Sequence, residues 1–339
     1  MKLCFLIFSE MSMSSKSSQI LRKFVSKETK RSISMTCSLA AERQFSLNGV
    51  FPPLPTPFDQ NENVDFDALR KNLSLWEKIP FKGYMVGGSN SELPFVSPAE
   101  RLSIVKEARK VISDDKLLIG GSTCESTKAT CELSEAMAKE GADGVLVLLP
   151  FYFKSRMNEA AILDHYTTVA DKSPVPVVIY NMPIVTGIDI PISVLTKLSS
   201  HPNIFGVKDG DVVKLAGIKL ATEGQKFEIL AGSAGYLLPG ILAGCVGGIN
   251  GLAVVFGEAV CQLHQLAMSR QYEKAIELQM KLIQPDLMLM REYGVPGLKA
   301  AMDILGYYGG PPRKPLQPIK EADHGRIREC LIKSGFFKL

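Results

Sequence analysis

Downstream of residue 48 the chain alternates between two hydrophobic patterns. The first consists of short runs that are almost wholly apolar: Gly49–Leu54, Gly83–Gly87, Leu117–Gly121, Gly144–Leu149, Val175–Tyr180, Ile204–Lys208, Glu228–Ala231 and Val246–Asn250. Runs this short, apolar at nearly every position, predict strands covered on both faces. Between them lie longer stretches whose apolar residues recur every three or four positions: Asp65–Lys78, Pro98–Ile112, Ser126–Glu140, Glu159–Lys172 and Ile192–Ser199. That is the period of an amphipathic helix. Ser97-Pro98-Ala99-Glu100 adds a start signal, with serine at the N-cap, proline at the first helical position and glutamate at the third.

Strand–helix alternation sustained over eight runs predicts an α/β protein built as a (β/α)8 barrel, the TIM-barrel architecture. An open doubly wound sheet would alternate in the same way, but no G-x-G-x-x-G follows the first strand, where a dinucleotide site needs it. The glycine-rich stretch from Gly244 to Gly251 falls on the eighth strand and predicts close packing where the barrel shuts, rather than a phosphate cradle. Helical periodicity then continues through Val260, Leu263, Leu266 and Ala267, and again through Ala275, Leu278 and Leu282. The expected organisation is a presequence over residues 1–48, a barrel over 49–257 and a C-terminal helical extension over 258–339.

Composition narrows the function classes. Hydrophobic residues at 46% and charged residues at 22% suit a globular protein with a large core. The net charge of +4 is small, and no Lys/Arg stripe with interleaved aromatics supports nucleic-acid binding. No apolar run is long enough to span a bilayer. Cys4, Cys37, Cys124, Cys131, Cys245, Cys261 and Cys330 are scattered without a C-x-x-C pair, so neither zinc nor a disulfide framework is signalled. Residues 1–48 are rich in serine and basic residues, including Lys16, Arg22, Lys23, Lys27, Lys30, Arg31 and Arg43, against only Glu10, Glu28 and Glu42. That balance predicts a transit peptide and a mitochondrial location.

In such a barrel the chemistry gathers at the C-terminal ends of the strands. The sixth strand delivers Lys208 to the rim, followed by the turn signal Asp209-Gly210. A lysine held out of water attacks a carbonyl as the free amine and forms a Schiff base, and apolar neighbours such as Val207 favour the uncharged form. The fifth strand ends in Tyr180-Asn181-Met182-Pro183, a phenol placed to move a proton. The second runs into Gly88-Ser89-Asn90-Ser91-Glu92, small and polar enough to hold a carboxylate. The fourth ends in the aromatic cluster Phe151-Tyr152-Phe153.

Together these motifs resemble the dihydrodipicolinate synthase/N-acetylneuraminate lyase superfamily of class I pyruvate aldolases. The resemblance spans roughly residues 49–316 and rests on Gly88-Ser89-Asn90-Ser91-Glu92, on Tyr180-Asn181-Met182-Pro183 with Thr186-Gly187, and on Gly206-Val207-Lys208-Asp209. Other strings, such as Cys124-Glu125-Ser126-Thr127 and Gly306-Tyr307-Tyr308-Gly309-Gly310-Pro311, resemble the branch that cleaves 4-hydroxy-2-oxoglutarate to pyruvate and glyoxylate. The resemblance implies that Lys208 forms the imine, Tyr180 relays protons, and Ser89 and Asn90 bind the substrate carboxylate. It also implies that Tyr152 completes the relay across a subunit interface of a homotetramer, and that neither metal nor organic cofactor takes part. Two positions depart from the pattern: Ser91 stands where the family loop has glycine, and Gly210 where the nearest branch has a serine at the substrate's far end. Position 185, an arginine in the synthases that grips a second carboxylate, is Val185 here, which places the synthase reading second. The motifs are also compatible with an N-acetylneuraminate lyase-type activity, and with a catalytically silent barrel serving as an oligomeric partner.

Overall fold

A computed structural model describes residues 45–337. The predicted presequence lies outside the described residues as far as position 44. The strands are β1 (Val50–Phe51), β2 (Gly83–Val86), β3 (Leu117–Gly121), β4 (Gly144–Leu148), β5 (Val177–Tyr180), β6 (Ile204–Asp209), β7 (Glu228–Ala231) and β8 (Gly247–Ile249). All pair in parallel in the order β1-β8-β7-β6-β5-β4-β3-β2. Hydrogen bonds from the Lys82 amide to the Val50 carbonyl (3.1 Å) and from the Leu54 amide to the Met85 carbonyl (2.8 Å) bring β2 back against β1. The fold is a (β/α)8 barrel, and each strand lies within a few residues of the run that predicts it.

Helices cover the outside: α1 (Phe66–Trp76), α2 (Pro98–Arg109), α3 (Thr127–Lys139), α4 (Glu159–Lys172), α5 (Ile192–Leu198), α6 (Val212–Ala221) and α7 (Leu237–Leu242). The pattern does not single out the last two. In α6 the apolar residues are not confined to one face, since Val213 and Leu220 are exposed while Leu215 and Ile218 are buried. α7 is only six residues long and includes Pro239 and Gly240, too short for a periodic pattern to show. The start of α2 forms as its sequence predicts: Ser97 and Glu100 cap each other's amides.

Buried strand residues divide by parity. Tyr84, Leu118, Val145, Val147, Val177, Ile179, Val207 and Ile229 join the core shared with the helices. Met85, Ile119, Leu146, Val178, Tyr180 and Leu230 are equally buried but stand outside that core, on the lumen side. Glycines mark where strands touch too closely for a side chain. A Cβ on Gly247 would lie 2.0 Å from the Gly49 carbonyl oxygen, which accounts for the glycine-rich eighth strand as barrel closure.

After the barrel come α8 (Ala253–Met268), α9 (Tyr272–Asp286), α10 (Gly294–Ile304) and α11 (Glu321–Lys333). The boundary expected at 257/258 falls inside α8, whose first residues are fully buried and whose backbone bends at Phe256. From Ser46 onward the chain forms one compact unit. A buried ion pair fastens the C-terminal part to the loop after β2: Lys299 on α10 meets Glu92 at 2.6 Å, with both side chains sealed from solvent. The same carboxylate accepts the Arg313 amide (2.7 Å), and the Arg313 guanidinium pairs with Glu100 (2.8 Å).

These contacts predict two stability effects. Lys299→Met leaves the Glu92 charge buried and uncompensated, and urea titration at neutral pH is expected to show a loss of about 3–5 kcal/mol. An unchanged midpoint would refute the role given to the pair. Glu100 is held down to about 2 from its ordinary 4.5, chiefly by the Arg313 hydrogen bond. A depressed carboxyl adds stability above its unfolded value and loses it as pH falls through the folded one. Glu100→Gln keeps the capping geometry, so its deficit, about 1 kcal/mol after solvent screening, is expected at pH 7 and should fade between pH 5 and 2.

Candidate active site

Strand register brings the rim residues together. Tyr180 on β5 stands directly opposite Lys208 on β6, and Lys208 opposite Leu230 on β7. The alignment depends on an irregularity: Val177 pairs with Ile204 but Val178 with Gly206, so Phe205 is bulged out. Without that extra residue Val207 would face Tyr180, and Lys208 would turn toward the helices, because side chains alternate between faces. Gly206 permits the crowded register, as a Cβ there would lie 2.0 Å from the Glu228 carbonyl oxygen.

Lys208 is only 7% exposed, and its Nζ lies 4.1 Å from the centre of the Tyr180 ring. Among the described residues no carboxylate pairs with it. The other buried lysines differ: Lys116 meets Glu77 and two carbonyls, and Lys299 meets Glu92. Asp209, next in sequence, turns away. It accepts hydrogen bonds from Asn181 Nδ2 (2.7 Å) and from the amides of Gly210 (2.6 Å) and Asp211 (3.0 Å), and lies 3.6 Å from the Lys214 ammonium. Lys214 and Asn181 also bind Asp189. Burial alone would raise the Asp189 carboxyl; those two partners outweigh it and hold the group below its ordinary value.

The Tyr180 hydroxyl lies 3.4 Å from Ser89 Oγ and also donates to the Met182 sulfur. Asn90 Nδ2 is buried without an acceptor and borders the same cavity. An unmet donor beside a serine hydroxyl suits an incoming carboxylate. Ser91 belongs to the scaffold of this loop. Its Oγ accepts from the Gly87 (2.9 Å) and Gly88 (3.2 Å) amides and donates to the Leu54 carbonyl. The left-handed residue is its neighbour Glu92 (φ 60°), so serine is not strained where the family has glycine.

Lys208, Tyr180, Ser89, Asn90 and Gly210 thus share one cavity of about 510 Å³ at the C-terminal end of the barrel. Tyr152 stands apart. It is 77% exposed, packs edge-on against Phe153 and lies outside the cavity wall, its amide held by Glu125. Tyr236, Met290 and Arg291 also line the cavity, and the strand-end reading does not name them. Tyr236 follows β7, and burial pushes its phenol up, keeping it a neutral donor near the Asp209 carbonyl. Met290 and Arg291 come from the C-terminal helices, where no strand-end rule looks. Val185 is half-exposed and does not reach the cavity.

Residues 46–333 match the Dihydrodipicolinate synthetase family. The chain belongs to that family. As a family member it is a class I lyase on a (β/α)8 barrel. The 4-hydroxy-tetrahydrodipicolinate synthase of Methanospirillum hungatei is 32% identical over 289 residues, 84% of this chain and 98% of the relative. A protein of Emericella nidulans, named probable 4-hydroxy-2-oxoglutarate aldolase, mitochondrial, is 32% identical over 293 residues, 84% of this chain and 94% of its own. Among solved structures, the chloride-inhibited dihydrodipicolinate synthase of Acinetobacter baumannii complexed with pyruvate superposes with a TM-score of 0.82 at 25% identity. That match covers 86% of this chain and 100% of the other.

The register irregularity generates a prediction. Gly206→Ala forces a Cβ onto a neighbouring carbonyl and is expected to cost roughly 2–4 kcal/mol. On the imine role proposed below for Lys208, capture of pyruvate in whatever protein still folds should fall more steeply than the folded fraction measured by circular dichroism. Equal losses would mean that β6 keeps its register without glycine.

Proposed function

We propose that the protein is a Schiff-base lyase that cleaves 4-hydroxy-2-oxoglutarate to pyruvate and glyoxylate, with Lys208 as the imine-forming residue. The observation that carries the reading is a buried lysine amine with no counter-charge among the described residues, facing a phenol and an unmet amide donor. The Lys208 amine adds to the substrate's 2-oxo carbon and water leaves, giving a protonated imine. That imine accepts the electron pair of the C3–C4 bond as the 4-hydroxyl loses its proton and glyoxylate departs. The remaining enamine is protonated at C3, and hydrolysis releases pyruvate and restores Lys208. Tyr180, within reach of Ser89 Oγ, moves protons to and from the imine nitrogen region and the 4-hydroxyl. Ser89 and Asn90 hold the C1 carboxylate.

Tyr152, exposed beside Phe153, serves in this reading as a relay residue that enters the active site of a second copy in a homotetramer. The serine-rich, basic residues 1–48 would direct the protein to the mitochondrial matrix.

A second reading, synthesis of 4-hydroxy-tetrahydrodipicolinate, is favoured by the name of the Methanospirillum hungatei relative. Against it stands Val185, which occupies the position where the synthases carry an arginine.

Two measurements test the proposal. Borohydride added with pyruvate should leave a reduced three-carbon adduct on Lys208, identified by peptide mass spectrometry and lost in Lys208→Ala. A substrate panel should then show pyruvate and glyoxylate released from 4-hydroxy-2-oxoglutarate, with Tyr180→Phe slowed roughly 10²–10⁴-fold, the usual contribution of a proton-transfer group. An adduct without cleavage, together with formation of 4-hydroxy-tetrahydrodipicolinate, would replace the first reading with the second. An unmodified Lys208 would sink both.

A further inference from the structure

The cavity has two cationic side chains in its wall. One is Lys208; the other is Arg291, which belongs to neither a strand nor a strand-end loop. It lies in Leu287–Glu292, a single π-helical turn between α9 and α10. Such a turn inserts an extra residue into a helix and re-aims the side chains that follow it. Here it brings Met290 and Arg291 to the mouth of the barrel. Met290 packs so closely over the rim that a Cβ on Gly251 would lie 2.3 Å from its sulfur, and the same Cβ would lie 2.8 Å from Asn90 Nδ2. The π turn therefore sits beside the loop read as the carboxylate holder.

The segment is well anchored. Ser233 Oγ, from the loop after β7, donates to Asp286 Oδ2 at the end of α9 (2.5 Å). Gln279, one helical stretch earlier, accepts from the Leu238 amide (3.0 Å) and donates to the Ala234 carbonyl (2.9 Å). Arg291 is nevertheless exposed. Most carboxylates around the mouth are bonded elsewhere: Asp189 and Asp209 to Asn181 and Lys214, Asp211 to the first amides of α6, and Glu292 to Arg326 (2.8 Å); Asp286 binds Ser233 through Oδ2, its buried Oδ1 makes no hydrogen bond, and its charge interacts with Arg291 at longer range. Among the described residues no carboxylate forms an ion pair with Arg291. It is a planar, permanently charged donor, exposed to solvent, in the wall of the cavity that also holds the Lys208 amine and Asn90.

We propose that Arg291 is a specificity-determining residue that selects 2-oxo acids carrying a second carboxylate at the far end, pairing with that group by charge-assisted hydrogen bonds. It would supply from the C-terminal helices the cation that position 185, a valine, lacks on the β5 side. The inference rests on the imine role given to Lys208 and deepens it by naming the substrate class.

The test reads imine capture rather than cleavage, so it does not depend on which carbon–carbon bond the enzyme breaks. Borohydride trapping on Lys208 is measured as a function of concentration with 2-oxoglutarate and with 2-oxopentanoate, which has the same chain length without the distal carboxylate. Wild type is expected to favour 2-oxoglutarate by roughly 10- to 100-fold, the range for a charge-assisted pair. In Arg291→Ala that ratio should fall to near one, with 2-oxopentanoate still trapped as evidence of a folded site. Arg291→Lys should restore part of the ratio. Trapping of both acids with a ratio unchanged by Arg291→Ala, or no preference in wild type, would overturn the role of Arg291 while leaving the imine intact. Failure to trap any 2-oxo acid, pyruvate included, would bring down the Lys208 reading and this inference with it.

Discussion

The site depends on keeping one lysine amine buried without a counter-charge. Taking an ammonium out of water is costly, and proteins usually offset the cost with a carboxylate. This chain does so elsewhere, at Lys116 with Glu77 and at Lys299 with Glu92. At Lys208, among the described residues, it offers an aromatic face and no carboxylate pair. Asp209, adjacent in sequence, is the obvious partner, and much of the local architecture occupies it with others: the amide of Asn181, two backbone N–H groups and, further out, Lys214.

The placement depends on a feature that carries no side-chain chemistry. Strand parity decides whether a residue faces lumen or helices, and parity is relative to the neighbouring strand. The bulge at Phe205 sets it for β6, and the crowding around Gly206 shows how tightly β6 lies against β7. The imine-forming role proposed for Lys208 therefore follows from register as much as from residue type.

This explains what was legible in the sequence and what was not. Near-continuous apolar runs exposed all eight strands, because strands covered on both faces leave that mark. Strand-end logic then reached Lys208, Tyr180, Ser89 and Asn90, which do meet in one cavity. It could not see the bulge, since Ile204-Phe205-Gly206-Val207 is apolar whichever residue is extruded. It treated Ser91 as a departure from the family glycine, whereas its hydroxyl ties the amides of Gly87 and Gly88 to the β1 side of the barrel. Tyr152 stands apart in the single chain, exposed and edge-on to Phe153. Residues contributed from beyond the last strand were invisible to any rule keyed to strand ends, and Arg291 is the clearest case.

The C-terminal helices therefore belong to the site as well as to its support. The buried Lys299–Glu92 pair fixes the end of the Ser89–Glu92 loop from α10, and Arg313 ties that loop to α2 through Glu100. Glu92 adopts a left-handed backbone that a side chain disfavours by about 1 kcal/mol. The ion pair and the Arg313 amide hold it there, so the shape of the Ser89–Glu92 loop is maintained by residues some two hundred positions later in the chain. Between the anchors at Asp286 and Lys299 lies the π turn that carries Met290 and Arg291 over the rim. One C-terminal element thus supports the Ser89–Glu92 loop and adds Met290 and Arg291 to the cavity wall. A barrel truncated after β8 would keep Lys208 and Tyr180, but it would lose what holds the loop in register with them.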